Sequence, residues 1–362
     1  MMPVLSIWGV SPAGAVSLIA ANVPYASLQW TRRVSSCGEF CAELACASPV
    51  PWPGRYLVTL EGHDEVGVVE KLDGSEGSDG EPAKLSGRFA ECLWDRYRFG
   101  AGGASVAGAN WRQAVTAGLA AWHMGDIPRL AMGEGTQPGS GGGYVLAGDA
   151  GKSGMETIYG CTSGNGSYPL VTLGGTGLVA RIVTGLDRTR GQAKNPICLF
   201  SLMQASASKV SYCGDWSPAC SELVAHAEKD NGDAAKTVVD RTVPVPGFDP
   251  ATMWKARAYE DVGSLIGQDQ TPTAANVDAA GALRAYDHQA AIATDVAVTG
   301  AGYREHWDLC DLCEVEMPSM GLAMTARIEE VREVYKPSGG TVEATVGTKR
   351  ISRIARAMMG RR

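Results

Sequence analysis

The clearest alternation of apolar and polar positions lies between residues 302 and 347. Leu322, Met324, Ala326 and Ile328 alternate with Ala323, Thr325 and Arg327, the period-2 pattern of a strand with one buried face. The phase slips at Glu329-Glu330, because Val331 falls on the other parity. A β-bulge there would absorb the extra residue. Lys336-Pro337-Ser338-Gly339-Gly340 has turn chemistry, and Val342, Ala344 and Val346 resume the alternation. With Pro318-Ser319 as its first turn, the stretch predicts a β-meander of three strands.

The same reading applies along the chain. Leu28, Trp30, Arg32 and Val34 alternate, Ser35-Ser36-Cys37-Gly38 turns, and Phe40, Ala42 and Leu44 alternate again, which predicts a β-hairpin. After Pro49, Pro51 and Pro53, strands are predicted at Tyr56–Leu60, Val66–Glu70 and Lys84–Gly87, then a helix over Phe89–Tyr97. The acidic Gly/Ser run Asp73–Glu81 fits a solvated hairpin tip. It does not match the Asp-x-Asp-x-Asp-Gly calcium loop. Residues 100–109 read as a Gly/Ala loop. Trp111, Val115, Leu119 and Trp122 have helical spacing, and Gly133–Gly143 reads as a linker.

Leu178–Thr184, Ile197–Leu202, Lys209–Tyr212 and Trp254–Tyr259 read as strands. Asn231-Gly232 between apolar segments is the strongest hairpin signal in the chain. Pro244, Pro246 and Pro250 mark a linker. Thr271–Ala293 reads as a helix bent or broken near Gly281, and Val296–Val298 leads into the meander. The predicted class is α+β, mainly β, with short helices.

Several of these segments, in their order and spacing, resemble one family. Trp307-Asp308-Leu309-Cys310-Asp311-Leu312, then Ala326-Arg327-Ile328-x-Glu330-Val331-x-Glu333 and a Gly-ended strand, resemble the end of siphophage tail-hub proteins. These are tail-tip or baseplate hub proteins of phages of actinobacteria. Leu28-x-Trp30-x-Arg32 with Gly38-Glu39-Phe40 resembles their opening. Gly67-Val68-x-Glu70, Leu85-x-Gly87, Leu93-Trp94-Asp95-Arg96 and Gly185-x-Asp187-Arg188-Thr189 continue the pattern. The likeness spans roughly residues 28–98 and 178–347, with 99–177 matched loosely.

The resemblance implies a structural virion protein at the tail tip, assembled in the host cytoplasm. It implies a homotrimer that joins the sixfold tail tube to a threefold tip and anchors proteins used in host attachment and DNA delivery. Its implied partners are distal tail and tail-tube proteins, the tape measure and tip spike or fibre proteins. The implied fold is several small β-barrel-like, tube-like domains. The expected divisions are 1–98, an N-terminal β domain; 99–177, a Gly-rich α+β insertion; 178–300, a central β domain with a helix; 301–348, the meander; and 349–362, a basic tail. In the family pattern the Cys310 position is usually Gly and the Cys313 position aliphatic.

Composition narrows the alternatives. The chain has 362 residues, 45% of them hydrophobic and 20% charged, which is globular and long enough for a large core. Its net charge of −7 is uneven. Residues 349–362 carry six cations and no acid, which leaves −13 on the rest. An acidic body does not suit a general nucleic-acid binder. No apolar run reaches eighteen residues, and the first basic residue is Arg32, so neither a spanning helix nor a secretory signal is expected. Ile351, Ile354, Ala355 and Met358 fall at i, i+3, i+4 and i+7, which predicts a short amphipathic helix in the basic tail. Such a helix is too short to hold alone in water. It is expected to dock on a neighbouring subunit or an acidic tail protein, with lumenal DNA or anionic lipid as the alternative target.

Candidate chemistry is sparse. Cys37, Cys41, Cys310 and Cys313 could in principle join in a four-cysteine zinc site. Cys310 and Cys313 lie three apart on an expected strand, however, and so point to opposite faces; buried reduced thiols are expected instead. Leu146-Ala147-Gly148-Asp149-Ala150-Gly151-Lys152-Ser153 nearly matches a phosphate-binding loop. It lacks the first glycine and a Val/Ile-rich strand leading in, so a surface turn is expected. Asp187 and Thr189 can cap a turn that Arg188 ties to a neighbour. His63-Asp64-Glu65 could be an acid–base cluster but is expected to face solvent on a hairpin. Gly160-Cys161-Thr162-Ser163-Gly164 has its serine one place late for a nucleophile elbow. No catalytic, cofactor or metal residue is assigned, and no enzyme is expected. The competing class is a tail-associated cell-wall hydrolase, peptidase or glycosidase. It would be expected as an added domain, for which the fifteen residues after Gly347 leave no room.

Overall fold

The structure is a computed structural model. It describes residues 2–45, 51, 53–74, 83–123, 130–133, 143–175, 177–217, 219–231, 234–266, 271–285, 288–289, 291–298 and 302–347. Most of the acidic run at Asp73–Glu81, most of the linker at Gly133–Gly143 and the whole basic tail lie outside these residues. The chain divides into two compact units: Met1–Ser211 with Asp295–Gly347, and Tyr212–Thr294.

Strands β1 (Leu5–Val10), β2 (Val16–Ala20), β3 (Tyr25–Arg33), β4 (Glu39–Leu44), β5 (Tyr56–Leu60), β6 (Val66–Val68), β7 (Lys71–Gly74) and β8 (Ala83–Arg88) lead to a single helical turn, α1 (Cys92–Asp95). Then come β9 (Ala104–Gly108), α2 (Trp111–Ala121), β10 (Leu130–Met132), β11 (Tyr144–Gly148), α3 (Gly154–Gly164), β12 (Ser167–Leu173), β13 (Leu178–Thr184), β14 (Leu199–Ser201) and β15 (Ala207–Asp215). The second unit holds β16 (Glu222–Asn231), β17 (Ala234–Pro244), β18 (Arg257–Asp261), α4 (Gly263–Ile266) and α5 (Ala274–Ala285). The chain ends its described course with β19 (Ala291–Val298), β20 (Leu312–Met317), β21 (Leu322–Lys336) and β22 (Gly339–Val346). Among the described residues, no helix is long and apolar enough to cross a membrane.

The meander forms as its alternation predicts. β20, β21 and β22 pair antiparallel in sequence, a 3-10 turn at Pro318–Met320 separates the first two, and the register of β21 against β22 shifts between Ile328 and Glu330. That shift is the bulge required by the Glu329-Glu330 phase slip. Past it, Val331 and Glu333 are buried and Tyr335 is half-buried on one parity. The early hairpin forms too, and β3 lies between β4 and β21. The β3–β4 hairpin and the last meander therefore share one ten-stranded sheet, running β15-β19-β22-β21-β3-β4-β8-β7 with β20 and β14 branching from β21. On β3, Leu28 and Trp30 point into a core with Phe40 and Phe89; the Trp30 and Phe89 rings lie 4.7 Å apart. Burying Leu28 and Phe40 contributes roughly 2–3 kcal/mol each.

Several expectations change. The supposed loop at 100–109 contains β9, which pairs residue by residue with β11. Its side chains are small, so the alternation is faint. The helix expected over Phe89–Tyr97 shrinks to one turn, and the strand expected at Trp254–Tyr259 starts at Arg257. The N-terminal hairpin β1–β2 and helix α3 were not anticipated. α2 begins where its spacing predicts, with the Asn110 side chain accepting from the Gln113 N–H at 3.1 Å.

In the second unit, β16 and β17 form the hairpin signalled by Asn231-Gly232, and β18 pairs parallel to β16 on the other side. α5 is not broken at Gly281, and it stops at Ala285, well before Ala293. Gly281 lies where the helix meets the sheet. A Cβ there would come within 2.7 Å of Ala225 and 2.9 Å of Val243, so glycine serves close approach rather than a bend.

Candidate functional site

Arg32 continues the apolar row Leu28-Trp30 on β3, so a cation is carried into the core and must find acids there. It is 3% exposed, and so is Glu65, whose Oε1 lies 2.5 Å from Arg32 Nε as an ion pair rather than an aligned hydrogen bond. Arg32 Nη1 also donates to Asp308 and to the Tyr303 hydroxyl (3.1 Å), and Nη2 donates to the Tyr168 hydroxyl (3.3 Å). Burial works against the Arg32 charge; Glu65, Tyr303, Tyr168 and Asp308 outweigh it and hold the guanidinium well above its ordinary value. For Glu65, burial pushes upward, but Arg32 and Arg304 prevail and the carboxyl sits below its usual range.

A second carboxylate extends the network. Glu333 falls on the inward parity created by the bulge. It accepts from the Tyr303 hydroxyl (2.8 Å), the Tyr335 hydroxyl (2.5 Å) and Arg304 Nη2 (3.4 Å), and it meets His63 Nε2 at 2.8 Å. Burial opposes its charge, yet His63, Arg304 and Tyr335 lower it to about 2. His63 and Glu65 are therefore buried partners, not the solvent-facing cluster expected on a hairpin; only Asp64 faces out, against Arg181. The ring of His63 meets Trp30 edge-on at 5.8 Å.

The Gly-x-Asp-Arg-Thr turn docks on the same loop. Arg188 Nε lies 2.5 Å from Asp311 Oδ2, and both are buried. Asp311 also accepts the N–H groups of Leu186 (2.7 Å) and Asp308 (2.9 Å). Asp187 accepts from the N–H and hydroxyl of Thr189, which caps the turn as expected. Gly185 is required here: a Cβ would lie 1.9 Å from the Cys310 carbonyl oxygen. Cys310 itself has φ 72, a left-handed conformation that favours glycine, the residue the family resemblance places there. It thus sits in a turn before β20, not on a strand.

Glu91 is a third buried acid. One oxygen accepts from the Val171 N–H at 2.8 Å, the other has no partner, and burial raises its carboxyl to about 8. The void among Arg32, Glu65, Glu91, Tyr159 and Tyr168 measures about 10 Å³, which is at the lower limit for one water. This arrangement ties β3, β12, β21 and the 302–311 loop together, and it has no room for a substrate. The signals for it were faint but present: a cation on an apolar row, and a glutamate sharing parity with Val331 and Tyr335.

The remaining candidates separate. Among the described residues, no group of three or more His, Cys, Asp or Glu side chains is placed to hold a metal ion. Cys37 packs in one apolar cluster, while Cys310 and Cys313 pack in another, where the Cys313 thiol hydrogen-bonds with Cys198. The Leu146–Ser153 stretch is a strand, turn and helix after all, since β11 leads into it and α3 follows. Its Ser153 hydroxyl is committed to Asp95 (2.6 Å) and to capping α3 through Glu156 N–H (3.1 Å), and Lys152 pairs with Asp149 at the surface. Ser163 lies within α3, with its hydroxyl on the Tyr159 carbonyl (2.6 Å).

Comparison with known proteins adds to this geometry. The sequence model of a family described as "Siphovirus ReqiPepy6 Gp37-like protein" matches residues 148–348, more than half of the chain. The fold is similar to that of the tail protein from Neisseria meningitidis MC58, with 13% identity and a TM-score of 0.57 over 95% of this chain and 96% of that one. It is similar to the 43 kDa tail protein of prophage MuSo2 from Shewanella oneidensis, with 13% identity and a TM-score of 0.56 over 96% and 98%. It is also similar to prophage tail protein gp18 from Listeria monocytogenes EGD-e, with 11% identity and a TM-score of 0.53 over 99% and 98%. No curated protein matches the chain by sequence.

Proposed function

The chain belongs to the Siphovirus ReqiPepy6 Gp37-like protein family of siphovirus tail proteins, and from that membership we propose that it is the tail hub. In this role it is a homotrimer at the tail tip. It joins the sixfold tail tube to a threefold tip and anchors the spike or fibre proteins used in host attachment. Distal tail and tail-tube proteins and the tape measure are its neighbours, and DNA passes through its lumen.

The observation that carries this reading is the joining of the β3–β4 hairpin and the last meander in one sheet, locked by the Arg32–Glu65–Glu333 network. Such a lock gives a stiff body that transmits position from one tail component to the next. Among the described residues, the main path of the sheet ends at β7 and β15, and strand edges favour burial against further chains. A structural role is further supported by the chemistry: Glu65, Glu333, Arg32, Arg304 and His63 are engaged with one another in ion pairs.

The reading is tested by light scattering on the purified protein, with a mass of three chains expected. A monomer at every concentration, and in assembled particles, would overturn it. For the hydrolase alternative, incubation with host cell wall is expected to release no fragments.

A further inference from the structure

The sheet β17-β16-β18 of the second unit has two unlike faces. On one, Leu223, Ala225 and Ala227 are fully buried, with Val277 and Ala280 of α5 in the same apolar clusters or beside them. On the other, paired positions run across the strands in rows. Thr242, Val224 and Tyr259 form one row, Asp240, His226 and Asp261 the next, and Val238 with Glu228 a third. Tyr259 is 62% exposed and Val238 52%. His226 meets Asp240 at 2.7 Å and its ring lies 5.5 Å from that of Tyr259. Glu222 pairs with Arg257 and Glu228 with Lys236, so Asp240 and Asp261 give the face an excess of negative charge. Among the described residues it is therefore an exposed surface on which the Thr242–Val224–Tyr259 row forms an apolar and aromatic patch, bordered on one side by the acidic row Asp240–His226–Asp261.

The chain carries a segment of complementary character. Residues 349–362 follow β22, lie outside the described residues, and hold six cations and no acid. Ile351, Ile354, Ala355 and Met358 form one apolar stripe if the segment is helical. From Ile351 to Met358 that stripe would be about 10 Å long at 1.5 Å per residue. The outer strands of a three-stranded sheet lie about 10 Å apart, so the stripe matches the width of one row across the three strands. A helix this short gains its order only by docking.

We propose that the basic segment 349–362 of a copy of this chain docks on the exposed face of β17-β16-β18. Ile351, Ile354 and Met358 cover the Thr242–Val224–Tyr259 row, and the flanking cations meet Asp240 and Asp261 in the next row. This inference does not depend on the tail-hub reading, since it concerns two parts of one chain and is measured on the isolated protein.

The test uses a variant ending at Gly347 and a fluorescent peptide of residues 348–362. The peptide is expected to bind the shortened protein and to bind the intact chain at least about tenfold more weakly, because the resident segment competes. Asp240→Asn with Asp261→Asn, and separately Tyr259→Ser, are each expected to weaken binding several-fold, as is raised salt. These positions are exposed, and circular dichroism checks that the variants fold; should the double variant fail, Tyr259→Ser still decides. A peptide with Ile351→Ser and Ile354→Ser keeps the charge and is expected to lose binding. Equal binding by that peptide, indifference to the face variants, or binding only to a DNA duplex or anionic vesicles would overturn the proposal.

Discussion

Replacing Arg32 with methionine removes the cation on which a fully buried carboxylate depends. Methionine fills much of the arginine stem's volume, so the change is mainly electrostatic. Glu65 would keep only Arg304, at 3.6 Å, while Asp308, 35% exposed at its side chain, can turn to water. Orphaning a buried partner costs about 3–5 kcal/mol. At roughly 2–4 °C per kcal/mol for a unit of this size, the transition of the Met1–Ser211 unit should fall by about 10 °C. The two units need not unfold together, so the assay is calorimetry combined with hydrogen exchange on β3 and β21. A second variant adding Glu65→Leu should recover more than half of the loss, because it removes the orphan. The pH dependence gives a further check. In the native protein Glu65 sits below its ordinary value, so its contribution is present at neutral pH and is lost as pH falls through that lowered value. In Arg32→Met, burial prevails and the carboxyl rises, so acid relieves the defect. The gap between the two proteins should therefore narrow from pH 7 to pH 4. A gap under about 1 kcal/mol at pH 7, or one that does not change with pH, would refute the reasoning.

Three further outcomes are expected. Gly185→Ala forces a Cβ onto the Cys310 carbonyl and should cost about 3 kcal/mol in denaturant unfolding, whereas Gly191→Ala, whose added Cβ meets only Thr189 Oγ1 at 3.7 Å, should change little. Glu91, raised to about 8 by burial, keeps a proton that the unfolded chain releases above its ordinary carboxylate value. Native stability should therefore decline from pH 5 to pH 8, and Glu91→Gln should flatten that slope in thermal unfolding; an unchanged slope would place the titration elsewhere. The Cys313 thiol, hydrogen-bonded with Cys198 and buried, is pushed far above the usual thiol range. In the folded protein at pH 8 it should be alkylated more slowly than Cys41, as read by mass spectrometry of the digest.

Local pattern carried the sheet strands well, because period-2 alternation and turn residues lie within a few positions of one another. The bulge at Ile328/Glu330 was legible for the same reason: one extra residue changes parity, and Val331 records it. What escaped was pairing between distant residues. His63 and Glu333 are 270 positions apart, and nothing near His63-Asp64-Glu65 shows that two of its three side chains turn inward. β9 was hidden because Ala104, Ser105, Ala107 and Gly108 are too small to show alternation. Gly281 was misread because a glycine that permits close packing resembles one that permits a bend. Two of the segments that carry the tail-hub resemblance, Trp307–Leu312 and Gly185–Thr189, meet through Arg188 and Asp311. The motif thus marks a contact that local alternation could not show.

The proposed place of this chain is tested most directly by cryo-electron microscopy of intact tails. The account predicts three copies forming a ring at the distal tip, between the sixfold tube and the threefold tip proteins. Six copies repeated along the tube, or density for this chain nowhere at the tip, would contradict it.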